Sequence, residues 1–175
     1  MELEPGNDTR LYCAEKSGRI WLIPDITATN LAQIEFLNLT TLVDSVRTEM
    51  GFKGIAFHPE YAANGYFYVC YAHQTAGVPS EDYIRVSRFE RDPANHNAAD
   101  PNSEVVMIEE TNLHYVHNLC NMMFGPDGYL YFGIGDGGGV DLGRLRSQKI
   151  DGDFWSGLFR IDVDKKPGSL PPNPH

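Results

Sequence analysis

The chain has 175 residues, with 14 Lys and Arg against 24 Asp and Glu, for a formal net charge of −10. Apolar residues make up 42% and charged residues 22%, the composition of a single globular domain and not of a disordered or collagen-like chain. The acidic balance argues against a partner with a phosphate backbone, which needs a basic face, so no nucleic acid is expected. No apolar run approaches the roughly 20 residues of a membrane-spanning helix. The opening Met1-Glu2-Leu3-Glu4-Pro5 has neither a basic nor an apolar leader region, so no signal peptide is expected in this sequence.

The first predicted element is a hairpin, Arg10–Ala14 and Arg19–Ile23 joined by the turn Lys16-Ser-Gly18. A short helix over Ala28–Glu35 and a strand over Ile34–Leu39 compete for the next stretch. A repeat follows. Ile55-Ala-Phe-His-Pro-Glu60 leads through Tyr61-Ala-Ala-Asn64 to Gly65-Tyr-Phe-Tyr-Val69, and Met122-Met-Phe-Gly-Pro-Asp127 leads directly to Gly128-Tyr-Leu-Tyr-Phe132. Each copy reads as a strand, a Pro-acid turn, a Gly and a second strand; Pro presets φ for the turn and Gly accepts positive φ after it. The first copy carries four extra residues before its Gly. Strands are predicted over Tyr83–Glu90, Glu104–Glu109 and Gly157–Val163, from alternation or short apolar runs. A second short helix fits Asp141–Ile150.

Short strands in sequence-near hairpins, repeated along the chain, predict an all-β fold built by radial repetition: a partial β-propeller of about two to three four-stranded antiparallel blades. Propellers close with about 4–8 blades, so residues 1–175 are expected to be the N-terminal fragment of one propeller domain.

Chemistry concentrates in His114-Tyr-Val-His117-Asn118 and Gly133-Ile-Gly-Asp136-Gly-Gly-Gly139. A His before one strand and an Asp after the next come to the same end of a blade through one hairpin. An acid beside an imidazole fixes its tautomer and stabilises its protonated form, as a general base requires. The alternative is a His at a strand end beside a turn Asp. Gly133-x-Gly135-x-x-Gly138 imitates a dinucleotide fingerprint, but lacks the βαβ setting that places phosphate on a helix N-terminus. Asp151, Asp153, Asp162 and Asp164 lack EF-hand spacing; Asp162 and Asp164 are expected on one solvated strand face, and no metal site is assigned. His58, in the turn that is Gly125 in the second copy, is read as structural. Asn7-Asp-Thr9 and Asn38-Leu-Thr40 fit the N-glycosylation pattern. Cys13, Cys70 and Cys120 show no metal-binding spacing and read as small buried hydrophobes, with a disulfide between two of them left open.

The run from Glu49-Met-Gly-Phe-Lys-Gly to Gly65-Tyr-Phe-Tyr-Val69 resembles the glucose/sorbosone dehydrogenase family, the soluble quinoprotein sugar dehydrogenases and their relatives. So do His117-Asn118, Phe124-Gly-Pro-Asp-Gly-Tyr-Leu-Tyr131, Gly135-Asp-Gly-Gly138, Gly157-Leu-Phe-Arg-Ile-Asp-Val-Asp164 and Pro171-Pro-Asn-Pro174. Asp153-Phe-Trp-Ser-Gly and the tail Lys165–His175 are similar to large bacterial sorbosone-dehydrogenase-like proteins. The resemblance implies a six-bladed propeller, a partial one in this chain, that binds pyrroloquinoline quinone (PQQ) and oxidises a sugar C1 hydroxyl to a lactone, with a sugar or polyol as substrate and an acceptor protein as a possible partner for the electrons. It implies His117 as the base, Asp136 as the acid that orients it, and Glu49 at the position where the family uses Gln to contact the cofactor. It implies calcium in the full-length parent with ligands outside this chain, a periplasmic or secreted location, and little activity in the isolated chain. Three residues depart from the family pattern: Glu49 for Gln, Leu119-Cys120 for small residues, and Val116 for an acid. Relatives such as hedgehog-interacting protein carry the alternative of a non-catalytic propeller that binds a protein partner.

Overall fold

The computed structural model describes residues 1–75, 82–112, 114–138, 146–147, 149 and 152–164. Three antiparallel sheets account for nearly all regular structure. The first runs β1 (Glu2–Glu4), β2 (Asn7–Ala14), β3 (Arg19–Ile23), β4 (Ile34–Asn38), and the second runs β5 (Phe52–Phe57), β6 (Tyr66–Gln74), β7 (Asp82–Arg91), β8 (Ala99–Asn112). The third holds β9 (Leu119–Phe124), β10 (Leu130–Ile134) and β11 (Gly157–Ile161). Within each sheet the strands pair in chain order, so each is a meander. β5 adjoins both β1 and β9. The leading strands of the three sheets therefore lie side by side, as inner strands do around a propeller axis. The expected all-β partial propeller is what the chain forms.

Burial explains the sequence pattern. Strand β6 lies between two packed sheets, and seven consecutive residues from Phe67 to His73 are buried. Phe67, Val69 and Tyr71 face one cluster with Tyr12, Phe36, Phe57 and Phe89, while Tyr68 and Cys70 face another with Met122, Leu130, Phe132 and Trp155. A strand buried on both faces loses apolar-polar alternation and reads as a continuous apolar run. The first cluster is largely aromatic, with ring centroids of Tyr12 and Phe57 4.6 Å apart and an edge-on Tyr12–Phe36 contact at 4.9 Å. Each such side chain contributes about 1.5–3 kcal/mol on burial, so these rings dominate the adhesion of blade to blade.

The four extra residues of the first repeat copy form α1 (Tyr61–Asn64). This single turn ends at Gly65, whose φ of 71° and N–H bond to the Tyr61 carbonyl at 2.8 Å close it. The insertion delivers Tyr61, fully buried, into the aromatic cluster. His58 is structural, as read: its Nδ1 accepts from the Glu60 amide at 3.0 Å and the Asn64 side chain at 2.8 Å. Its Nε2 donates to Asp164 Oδ1 at 3.0 Å.

Three expectations change. Residues 28–30 form bends and residues 31–33 an irregular stretch rather than a helix, and strand β4 begins at Ile34; the Asp25 side chain caps the preceding turn by accepting from the Thr27 amide and hydroxyl. β1 was not expected; it is a short outer-polar strand held by Glu4, which accepts from Arg10 Nε and Tyr12 Oη, each at 2.8 Å. Asp162 and Asp164 lie beyond β11, not on a strand face, and Asp164 reaches across to the second sheet's His58. Cys13 and Cys70 both carry thiols and do not bridge. The side chain of Cys120, Asp151, most of the candidate helix 141–150 and the 165–175 tail lie outside the described residues.

Candidate active site

The segment 114–118 links β8 to β9, and Asp136 follows β10. Because Leu119 is in register with Ile134, the residues just before β9 and just after β10 emerge together. Two backbone bonds join them: Gly135 N–H to the Asn118 carbonyl at 2.8 Å and Gly137 N–H to the His117 carbonyl at 3.0 Å. The side chains meet as well, with His117 Nδ1 2.8 Å from Asp136 Oδ1. The same carboxylate oxygen accepts the Gly138 amide at 2.9 Å. That amide first, and then the imidazole, hold the Asp136 carboxyl below the usual carboxylate range. An ionised carboxylate only accepts, so Nδ1 carries the proton of this bond and, in the neutral ring, Nε2 carries the lone pair. The His117 side chain is 59% exposed, and no described residue hydrogen-bonds Nε2.

The glycines here serve backbone approach. A Cβ on Gly135 would run into the His117 carbonyl, and one on Gly138 (φ 71°) would meet Val116 Cγ2 at 2.5 Å. The fingerprint-like spacing is thus accounted for by a close crossing of two loops. The Asp136 carbonyl accepts from Arg146 Nη1 at 3.2 Å, and that guanidinium stacks 4.7 Å over the buried Trp155 ring.

A third segment, between β4 and β5, completes the arrangement. Glu49 Oε2 accepts the His117 amide at 2.7 Å. His117 has φ of 55°, a left-handed conformation that costs a non-glycine residue about 1–2 kcal/mol. A hydrogen bond to a charged group contributes about 1.5–3 kcal/mol, enough to offset it. Next to Glu49, the fully buried Met50 sulfur receives the side-chain amides of Asn118 at 3.3 Å and Asn112 at 3.2 Å. Asn118 Oδ1 is buried without a hydrogen-bond partner among the described residues. Glu49, expected from its family position to contact a cofactor, holds the backbone of His117 through one carboxylate oxygen. Met50, Asn112 and Arg146 were not singled out in the sequence; only the adjacency of Met50 to Glu49 pointed toward them.

Both arginines described at this rim face acids. Arg47 pairs with Asp82 and lies 4.0 Å from Asp44, with its guanidinium 5.8 Å from the Tyr115 ring centre. Arg146 lies 3.8 Å from Asp153. No group of three or more His, Cys, Asp or Glu suited to a metal ion occurs among the described residues.

The family model for glucose/sorbosone dehydrogenase matches residues 1–172. Hedgehog-interacting protein of Mus musculus is 32% identical over 177 residues, covering 95% of this chain and 25% of its own length. Among solved structures, the PQQ-bound form of aldose sugar dehydrogenase from Streptomyces coelicolor superposes with a TM-score of 0.63 at 24% identity, covering 98% of this chain and 46% of that one. A putative oxidoreductase (glucose dehydrogenase) from Thermus thermophilus gives 0.71 at 22% identity, covering 98% and 44%. The chain thus spans about a quarter of this curated relative and under half of either solved neighbour.

Proposed function

Because the chain belongs to the glucose/sorbosone dehydrogenase family, we propose that it is the N-terminal part of a single propeller domain in a periplasmic or secreted sugar dehydrogenase, with His117 as general base and Asp136 as its orienting acid. The observation that carries this reading is the 2.8 Å bond between His117 Nδ1 and Asp136 Oδ1, which leaves the other ring nitrogen as an acceptor at an exposed rim.

Oxidation of a sugar at C1 removes the hydroxyl proton and the C1 hydride. Nε2 of His117 takes the proton, Nδ1–H stays on Asp136, and the carboxylate stabilises the resulting imidazolium. Loss of the hydride to an oxidant leaves the lactone. Glu49 acts through the base, holding the backbone on which the ring is mounted. PQQ, bound by the Streptomyces coelicolor neighbour, is a tricarboxylate. The described rim offers it the carboxylates of Glu49 and Asp136, while Arg47 and Arg146 already face acids. The described residues alone do not fit that anion. Cationic groups for PQQ, and calcium ligands, would come from the remainder of the full-length protein.

The test is reduction of an artificial dye by the full-length protein supplied with PQQ, calcium and an aldose. Turnover that disappears in His117→Ala with cofactor affinity kept supports the base; turnover that survives overturns it. A second reading has its own support in the 32% identity to Hedgehog-interacting protein of Mus musculus and in Val116 and Glu49: a non-catalytic propeller that binds a secreted protein of the Hedgehog class. No dye reduction by PQQ-loaded protein, with saturable binding of such a partner in calorimetry, would favour it.

A further inference from the structure

The two Asn-x-Thr triplets take the same local form. Asn38 Oδ1 accepts the Thr40 amide at 3.1 Å and the Thr40 hydroxyl at 2.8 Å; Asn7 Oδ1 accepts the Thr9 amide at 3.1 Å and hydroxyl at 3.0 Å. Two donors on the carbonyl oxygen draw electron density from the amide nitrogen and make its N–H more acidic. Their surroundings differ. Asn38 is the last residue of β4, the terminal strand of its sheet, and is exposed. Its neighbours Leu37 and Leu39 are 2% and 1% exposed, which anchors the backbone and turns Asn38 outward by strand alternation. Its Nδ2 lies 3.2 and 3.3 Å from the oxygens of Glu35, itself exposed, so water can replace that bond at little cost. Asn7 is half-buried and in register with Glu4, whose carboxylate is committed to Arg10 and Tyr12.

We propose that Asn38 is an N-glycosylation site, the acceptor of an oligosaccharide from a lipid-linked diphosphate donor in a secretory compartment. Nδ2 bonds to the sugar C1, the C1–oxygen bond to the diphosphate breaks, the amide proton leaves to a base of the transferase, and the lipid diphosphate departs. Thr40 activates the acceptor through its bond to Oδ1. The folded chain accommodates the glycan because Asn38 projects from the end of an edge strand, where a bulky polar group also blocks edge-to-edge pairing. This site is independent of the dehydrogenase reading, since it uses the first sheet and no residue of the His117 rim.

The experiment is secretion of the full-length protein from a eukaryotic cell line, release of N-glycans by amidase in heavy-oxygen water, and peptide mass analysis. Labelled deamidation at Asn38 is expected. The label and the glycan at that position should vanish in Thr40→Ala and persist in Thr40→Ser, and Asn7→Gln should leave them unchanged. A secreted wild-type protein whose Asn38 peptide is unlabelled overturns the proposal, whatever the variants do; so does a label that survives Thr40→Ala.

Discussion

Two histidines in this molecule each hold a carboxylate, and they differ in what is left over. His58 Nε2 lies 3.0 Å from Asp164 and His117 Nδ1 lies 2.8 Å from Asp136. His58 is 3% exposed, and its second nitrogen accepts two further donors from Glu60 and Asn64. His117 is mostly exposed, and no described residue bonds its second nitrogen. An imidazole with both nitrogens satisfied is a pin between two sheets. One held at a single nitrogen can take a proton from something else. A His–Asp distance therefore says little by itself; the state of the opposite nitrogen separates structure from chemistry.

The sharpest way to break this contrast is to remove each ring in the full-length protein. His117→Ala should lower dye-reduction turnover by about 10²–10⁴-fold, the usual contribution of a general base, and leave the thermal midpoint nearly unchanged. His58→Ala should do the reverse, costing about 2 kcal/mol in denaturant unfolding through lost buried hydrogen bonds while turnover persists. If both variants lose stability and neither loses turnover, the contrast is empty. Next in size, Gly135→Ala forces a Cβ against the His117 carbonyl. It should cost about 1–3 kcal/mol and displace the base, seen as lower turnover together with a lower unfolding midpoint.

Glu49→Gln keeps an acceptor for the His117 amide but removes its charge. The expected loss is about 1 kcal/mol, or roughly five-fold in turnover, with the KM for sugar unchanged. A change in cofactor affinity with turnover intact would instead support the contact role its family position suggests. The smallest effect concerns pH. Asp136 has its carboxyl lowered in the fold, so its contribution is present above the ordinary carboxylate value and fades as pH falls through the lowered one. Asp136→Asn should remove that acid-side step from the unfolding profile; an unchanged profile would mean that the carboxylate is not held as described.

The sequence carried the architecture well because propeller blades are local. Hairpins such as β2–β3 and β9–β10 join near neighbours, so turn residues and alternation report them directly. The Ala28–Glu35 region misled because its short apolar spacing fits a helix, while the Asp25 turn and the pairing of Ile34–Asn38 with β3 decide otherwise. β1 escaped notice because three residues with one exposed Leu carry no pattern, and a carboxylate network holds them. At the site, the His117–Asp136 meeting follows from one hairpin and was legible. Contacts spanning 68 positions, from Glu49 to the His117 amide, or 106, from His58 to Asp164, depend on how sheets pack and leave no local trace.

The most direct measurement is nitrogen NMR of the two imidazoles in the full-length protein near neutral pH, assigned through His58→Ala and His117→Ala. The account predicts opposite tautomers: the proton on Nε2 in His58 and on Nδ1 in His117, with His117 Nε2 showing the shift of an unprotonated acceptor. A His117 ring protonated on Nε2 and bare on Nδ1 would contradict it, because Asp136 would then be holding nothing.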